Sequence, residues 1–179
     1  LERLKFDRAG LPAYLKKLNL DGEGVEIGVN LGIFSAAILE GSDLKLLHSI
    51  DPWVDVPGFV MKTKIPLEER YAEAVERLSA FGARSEIIRE FSVDAADHFC
   101  EQSLDFVYID GDHRYNQNKQ DIELWWPKVR RHGILSGHDF REGEKCGVKR
   151  AVLEFVEEHG LTLRLTSEIG NPSWVIFKR

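Results

Sequence analysis

The feature that most constrains this chain is an alternation. Short apolar runs with strand character are separated by stretches of helical periodicity, and each run ends on or just before a glycine or a polar residue. Residues 24–28 (GVEIG), 44–50 (LKLLHSI), 86–89, 104–109 (LDFVYI) and 133–136 (GILS) read as strands. Helices are read over 33–40, 67–81, 93–100 and 116–128. In the second of these, Leu67, Tyr71, Val75, Leu78 and Phe81 recur every three or four residues, one apolar face closed by Gly82. Val148, Val152, Phe155 and Val156 mark one more helix. Residues 161–166 and 173–177 are two further strands around a Gly-Asn-Pro turn. Strands alternating with helices predict a parallel sheet covered on both faces. The last two strands must be antiparallel, because a parallel crossover needs a dozen or more residues. The expectation is a three-layer α/β sandwich with about seven strands, one of them antiparallel near the C-terminus.

A length of 179 residues suits one domain spanning 1–179. Residues 1–20 read as a leading helical segment with Leu11, Tyr14, Leu15 and Leu18 facing in. Residues 52–66 carry three prolines and no periodicity, so they read as a loop. Phe59, Val60 and Met61 within it suggest a lid over the site or a contact in a homo-oligomer. With 43% hydrophobic and 30% charged residues, disorder is excluded. Twenty-four Lys+Arg against 30 Asp+Glu give a net charge of -6. That balance, with no basic stripe, argues against nucleic acid and anionic membranes as partners. No apolar run approaches the roughly 18 residues of a membrane span, and LERLKFDRAG has no signal-peptide core. Two distant cysteines, Cys100 and Cys146, argue against a disulfide framework and fit a reducing cytoplasm.

In such sheets ligands bind outside the carboxyl ends of the strands. The polar residues collect there: Glu26 with Gly28, Asp51, Ser92 with Asp94, Asp110 with Asp112 and His113, and His138 with Asp139. Any one acid at a strand end reads equally as a helix cap; their recurrence along one edge is the informative part. The first turn, Glu26-Ile-Gly28-Val-Asn30-Leu-Gly32, has the spacing ExGxxxG and not GxGxxG. Asp51 ends the next strand, where an acid accepts hydrogen bonds from ribose hydroxyls. Trp53, just beyond it, would border adenine or ribose.

VEIGVNLG, SIDPW and the stretch from YIDGDH to GHDF resemble the motifs of class I S-adenosylmethionine-dependent methyltransferases, most of all the small-molecule group of methyltransferase family 24. The resemblance runs from about residue 23 to 178 and implies a Rossmann-like fold with S-adenosyl-L-methionine as cofactor. It implies that Glu26, Gly28 and Asn30, with Gly32 in the same turn, line the methionine end, and that Asp51 holds the ribose. It implies Ser92, Val93 and Asp94 near the adenine, with Asp94 on its amino group, and Asp110 beneath the sulfonium and the acceptor. The acidic edge agrees with that cofactor, which carries a sulfonium cation and no phosphate.

If the strands ending at Asp110 and His138 are neighbours, their ends lie about 4.8 Å apart. Asp110, Asp112, His138 and Asp139 could then hold Mg²⁺ or another divalent metal. The metal-dependent sugar methyltransferases that this fold resembles carry an Asp where His138 stands. A second reading makes His138 or His113 a general base. A third has Asp112 capping a helix and His113 packing on the sheet. The reading adopted is methyl transfer to a small-molecule acceptor, at a hydroxyl oxygen, with Asp110, His138 and Asp139 catalytic. A metal-dependent hydrolase would leave the glycine turn and Asp51 without a role. A nicotinamide-dependent oxidoreductase wants GxGxxG. His48 reads as a satisfied core residue, Trp125 as packed on the sheet with Trp126 at its rim, and residues 141–145 (REGEK) as a loop beside the substrate.

Overall fold

The computed structural model describes residues 2–57, 64–144 and 146–179. Phe59, Val60 and Met61, on which the lid or oligomer contact rests, lie outside the described residues, as does Lys145 of the 141–145 loop. The strands are β1 (Glu2–Arg3), β2 (Glu23–Ile27), β3 (Leu46–Ile50), β4 (Ser85–Ile88), β5 (Leu104–Ile109), β6 (Val129–Gly137), β7 (Leu163–Leu165) and β8 (Trp174–Phe177). The helices are α1 (Leu11–Lys17), α2 (Ile33–Gly41), α3 (Leu67–Ser79), α4 (Ser92–Ala95), α5 (Tyr115–Trp125) and α6 (Val148–Glu158). They build one eight-stranded sheet in the order β1-β7-β8-β6-β5-β2-β3-β4. Every pairing is parallel except those of β8, which runs antiparallel to β6 and β7. This is the expected Rossmann-like sandwich with one strand more than the seven expected. The extra strand is β1, two exposed residues paired with β7 inside the segment read as helical. Two residues have no periodicity to read, and a distant edge supplies their partner.

The central strand β5 is buried along its whole length, and its side chains alternate between two cores. Val107 and Ile109 join Ile122, Trp125, Val152 and Phe155 under α5 and α6. Phe106 and Tyr108 join Leu11, Leu15, Ile38, Ala74 and Leu78 under α1, α2 and α3. Trp125 is fully buried, while Trp126 lies at the rim on Phe155 with the Lys178 ammonium 5.1 Å from its ring. His48 is held between Glu86 at 2.7 Å and Glu23 at 3.2 Å.

Two helix faces differ from their sequence reading. On α3 the buried residues are Arg70, Ala74 and Leu78, and Val75 is 40% exposed. Arg70 turns inward because its Nε donates to the Ile65 carbonyl at 2.8 Å. Tyr71 stays half-buried against Trp53. On the leading segment Leu11 and Leu15 are buried, but Leu18 lies past the end of α1 and is 36% exposed. The helix read over 93–100 is a single turn, α4, followed by a 3-10 turn over Ala96–His98. No helix among the described residues is long and apolar enough to cross a membrane.

Candidate active site

The chain leaves β2 for β3 and β4 on one side and returns to β5 and β6 on the other, so the strand order reverses between β2 and β5. The carboxyl ends diverge there and open a crevice. Gly28 and Asp110 face each other across it. Gly28 has φ +88, and a Cβ on it would lie 2.3 Å from the Asp110 carbonyl oxygen, so only glycine fits. Gly32 has φ +70 and starts α2 against Ala74; it lines neither lobe of the crevice. Asn30, between them, also has positive φ, which asparagine tolerates. Its N–H donates to Asp51 Oδ2 at 3.0 Å, and the Trp53 N–H donates to Asp51 Oδ1 at 2.8 Å. The Trp53 indole N–H donates to the Asn30 carbonyl at 2.8 Å. Asp51 thereby ties the turn after β2 to the segment after β3. Burial raises its pKa, and the backbone N–H groups pull the other way. With the Val29 N–H as a third donor, the carboxylate still keeps a lone pair for a ligand.

The crevice has two lobes that meet at Gly28, Asn30, Asp110 and Gly111. The first, about 420 Å³, runs past Asp51 and Trp53 to Phe91, Ser92, Gln117 and Asp121. The second, about 710 Å³, lies between Glu26, Phe34, Arg8, His113 and Glu168. Glu26 is 1% exposed and accepts from the Ser35 hydroxyl; burial pushes its pKa up to about 8. Val93 and Asp94, expected at the adenine, are exposed and line neither lobe. Asp121 of α5 lines the first lobe beside Ser92 and accepts from its hydroxyl at 2.5 Å.

At the junction Asp110 Oδ2 receives the Arg8 guanidinium at 2.7 Å, and that guanidinium stacks on the Phe34 ring at 3.9 Å. His113 Nε2 stands 3.6 Å from Asp110 Oδ1 and 3.2 Å from Asp139 Oδ2. Asp110 first, then Asp139, raise the His113 pKa against burial. Burial would raise Asp139, but His138, His113 and Arg141 hold it below the usual carboxylate range. His138 Nδ1 is 3.4 Å from Asp139 Oδ2 and 3.8 Å from Asp110 Oδ1. Asp110, His113 and Asp139 bring one ligand atom each within 4.8 Å of one another, an arrangement able to hold a cation. The set expected from sequence therefore changes. Asp112 turns away to the Arg114 side chain and backbone N–H and lines the first lobe. His113, read as equally structural, enters the cluster. Arg8, Asp121 and Glu168 carried no sequence signal, because nothing near them in the chain marks a site.

A parallel sheet with reversed strand order, closed on one side by antiparallel β8 between β6 and β7, is the fold of the class I S-adenosylmethionine-dependent methyltransferases. The chain belongs to the methyltransferase domain family, whose model matches residues 25–140. An uncharacterised protein of Sinorhizobium fredii, y4gI, is 26% identical over 153 residues, 76% of this chain. The chain spans only 16% of that relative's length. An O-methyltransferase from Bacillus cereus in complex with S-adenosylhomocysteine superposes with a TM-score of 0.69 at 13% identity, over 96% of this chain and 80% of that one. TomG from Streptomyces achromogenes, an O-methyltransferase involved in tomaymycin synthesis and bound to S-adenosylmethionine, gives 0.68 at 15%, over 96% and 80%. An rRNA methylase from Streptococcus thermophilus gives 0.66 at 17%, over 95% and 93%. At these identities the likeness is one of fold.

Proposed function

We propose that the protein transfers a methyl group from S-adenosylmethionine to a hydroxyl oxygen of a small-molecule acceptor. The observation that carries this reading is the two-lobed crevice meeting at Asp110, with acids along the first lobe and a His between two carboxylates at the junction. The donor set suits the cofactor. Asp51 keeps a lone pair for a ribose hydroxyl. Glu26 and the buried Asn30 Oδ1, without a partner among the described residues, suit the methionine ammonium. When bound, the cofactor supplies the activated methyl group.

The protein's part is alignment and proton removal. The second lobe takes the methionine end at Glu26 and holds the acceptor against Phe34. His113 takes the hydroxyl proton, and Asp110 and Asp139 stabilise the imidazolium that forms. The net charge of -6 and the acidic lining favour a small molecule over RNA. A divalent cation on Asp110, His113 and Asp139 is a second reading, favoured by their mutual closeness; it would supply a Lewis acid that lowers the acceptor's pKa. Against it, the Arg8 cation already stands on Asp110.

Thermal unfolding with S-adenosylhomocysteine, with NAD as control, each with Mg²⁺ or EDTA, tests the reading. Ligand at about 100 times its Kd adds about 2.7 kcal/mol, a rise in Tm of roughly 5–10 °C for a chain of this size. A rise with S-adenosylhomocysteine that EDTA leaves unchanged supports the metal-free form, and an added Mg²⁺ effect supports the cation. A rise with NAD alone or metal alone overturns the proposal. In turnover assays Asp110→Ala is expected to abolish transfer while S-adenosylhomocysteine still binds.

A further inference from the structure

Arg8 reaches the Asp110 junction from the second lobe, and it lies outside the stretch that matches the family. Its Nη2 is 2.7 Å from Asp110 Oδ2, and its guanidinium stacks on the Phe34 ring at 3.9 Å with the Tyr108 ring at 5.1 Å. The backbone already anchors it, through the Arg8 N–H on Glu168 Oε1. The side chain leaves donors over. Nε is buried without a partner among the described residues, and Nη1 makes no hydrogen bond among them. A side chain there only to hold the segment before α1 would spend those donors on nearby carbonyls. Across the junction a second guanidinium, that of Arg141, has its Nε 3.1 Å from Asp139 Oδ1. Both carboxylates of the Asp110, His113 and Asp139 cluster therefore carry an arginine. Arginine keeps its charge in a protein. Two arginines balance two carboxylates, and a divalent cation beside the same carboxylates would meet two positive charges at close range.

We propose that Arg8 supplies from within the chain the positive charge that a divalent metal would bring to this junction: it keeps a metal off the Asp110, His113 and Asp139 cluster and stabilises the acceptor oxygen as that oxygen loses its proton. The inference rests on the methyl-transfer reading above and selects its metal-free form. The second lobe holds the acceptor against Phe34, the ring on which the guanidinium lies, so Nη1 is the donor within reach of the hydroxyl. The O–H proton passes to His113, and its electron pair stays on oxygen. That pair forms the bond to the methyl carbon, and the pair of the breaking C–S bond stays on sulfur. A guanidinium beside the oxygen favours the loss of the proton by charge and by a hydrogen bond. The same charge stands near the place of the sulfonium. It weakens a sulfonium ligand relative to a thioether, and transfer relieves that repulsion.

Two calorimetric titrations of the whole chain test this, on the unaltered protein, Arg8→Met and Arg8→Lys. Titration with Mn²⁺ alone reads the cluster. Arg8→Met is expected to bind Mn²⁺ about tenfold or more tightly than the unaltered protein, and Arg8→Lys, which keeps the charge, to stay within about threefold of it. Adding Asp139→Asn to Arg8→Met is expected to cancel the gain, which puts the ion on the cluster. Titration with S-adenosylmethionine and with S-adenosylhomocysteine reads the junction. Arg8→Met is expected to move the ratio of the two affinities toward S-adenosylmethionine by about threefold or more, and Arg8→Lys to leave it unchanged. That ratio, measured on one sample, does not depend on how much of the variant folds. No gain of Mn²⁺ in Arg8→Met, or a ratio that does not move, overturns the inference. An equal loss of both ligands in Arg8→Met overturns it too and places Arg8 on the carboxylate of the cofactor. If the unaltered protein binds neither ligand, the methyl-transfer reading itself fails; an absent Mn²⁺ gain with both ligands bound overturns only the role of Arg8.

Discussion

Glu26, one residue before the end of β2, has its carboxyl buried, hydrogen-bonded to Ser35 and near Arg8, Asp110 and Asp51. Burial dominates, and the group keeps its proton up to about pH 8. In the unfolded chain the same group ionises near 4.5. Between those values the folded state binds the extra proton, so this group's contribution to stability is full below pH 4.5, falls as pH rises and levels off above 8. Glu26→Gln removes the dependence. Urea unfolding at pH 5 and pH 8 is expected to show the variant gaining on the parent by up to a few kcal/mol at the higher pH. A difference that does not change with pH would mean that Glu26 ionises normally in the folded protein. The same proton matters to the site: the cofactor's ammonium, brought alongside, would draw it off.

Helix α3 shows how a correct element can present its apolar face with one position turned out. Leu78 is buried and Tyr71 and Phe81 pack against the core, as the apolar spacing suggests, but Val75 faces solvent and Ala74 is buried in its stead, with Arg70 between helix and loop. The arginine spends its stem on the core and its Nε on a carbonyl. Leu78→Ala is expected to cost about 2–4 kcal/mol through the cavity it leaves. Val75→Ser, on the solvent side, is expected to stay within about 0.5 kcal/mol of the parent. Chemical denaturation of both variants checks the orientation. Equal losses would place the helix in the rotation that its apolar pattern implies.

Across the molecule, the crevice draws on different parts of the chain. Asp51 and the glycine turn lie inside the stretch that matches the family, residues 25–140, whereas Arg8 and Glu168 of the second lobe lie outside it. The two ends of the chain meet there: β1 pairs with β7, and the Arg8 N–H donates to Glu168 Oε1. Binding of cofactor and binding of acceptor should therefore separate by mutation. Asp51→Ala is expected to weaken S-adenosylhomocysteine by about tenfold or more, the worth of hydrogen bonds to a carboxylate. Glu168→Gln is expected to leave that affinity within about twofold and to raise the acceptor KM. Calorimetry and turnover on the two variants check this; a Glu168→Gln loss confined to cofactor affinity would place the acceptor elsewhere.

Local order in the chain was enough to read the layers, the parallel sheet with its antiparallel strand, the turn from Glu26 to Gly32 and the acid at Asp51. Apolar periodicity and glycine spacing are properties of neighbouring residues, and strand ends must face one edge of a parallel sheet. The family resemblance lay in the same local stretches. What only the tertiary structure decided are contacts between residues far apart in the chain. Arg8 reaches Asp110 because β1 closes on β7. His113 joins Asp139 because β5 and β6 are paired. Asp121 lines the first lobe beside Ser92 because α5 packs against α4. Such pairings depend on how whole elements pack, and no spacing within one segment encodes them.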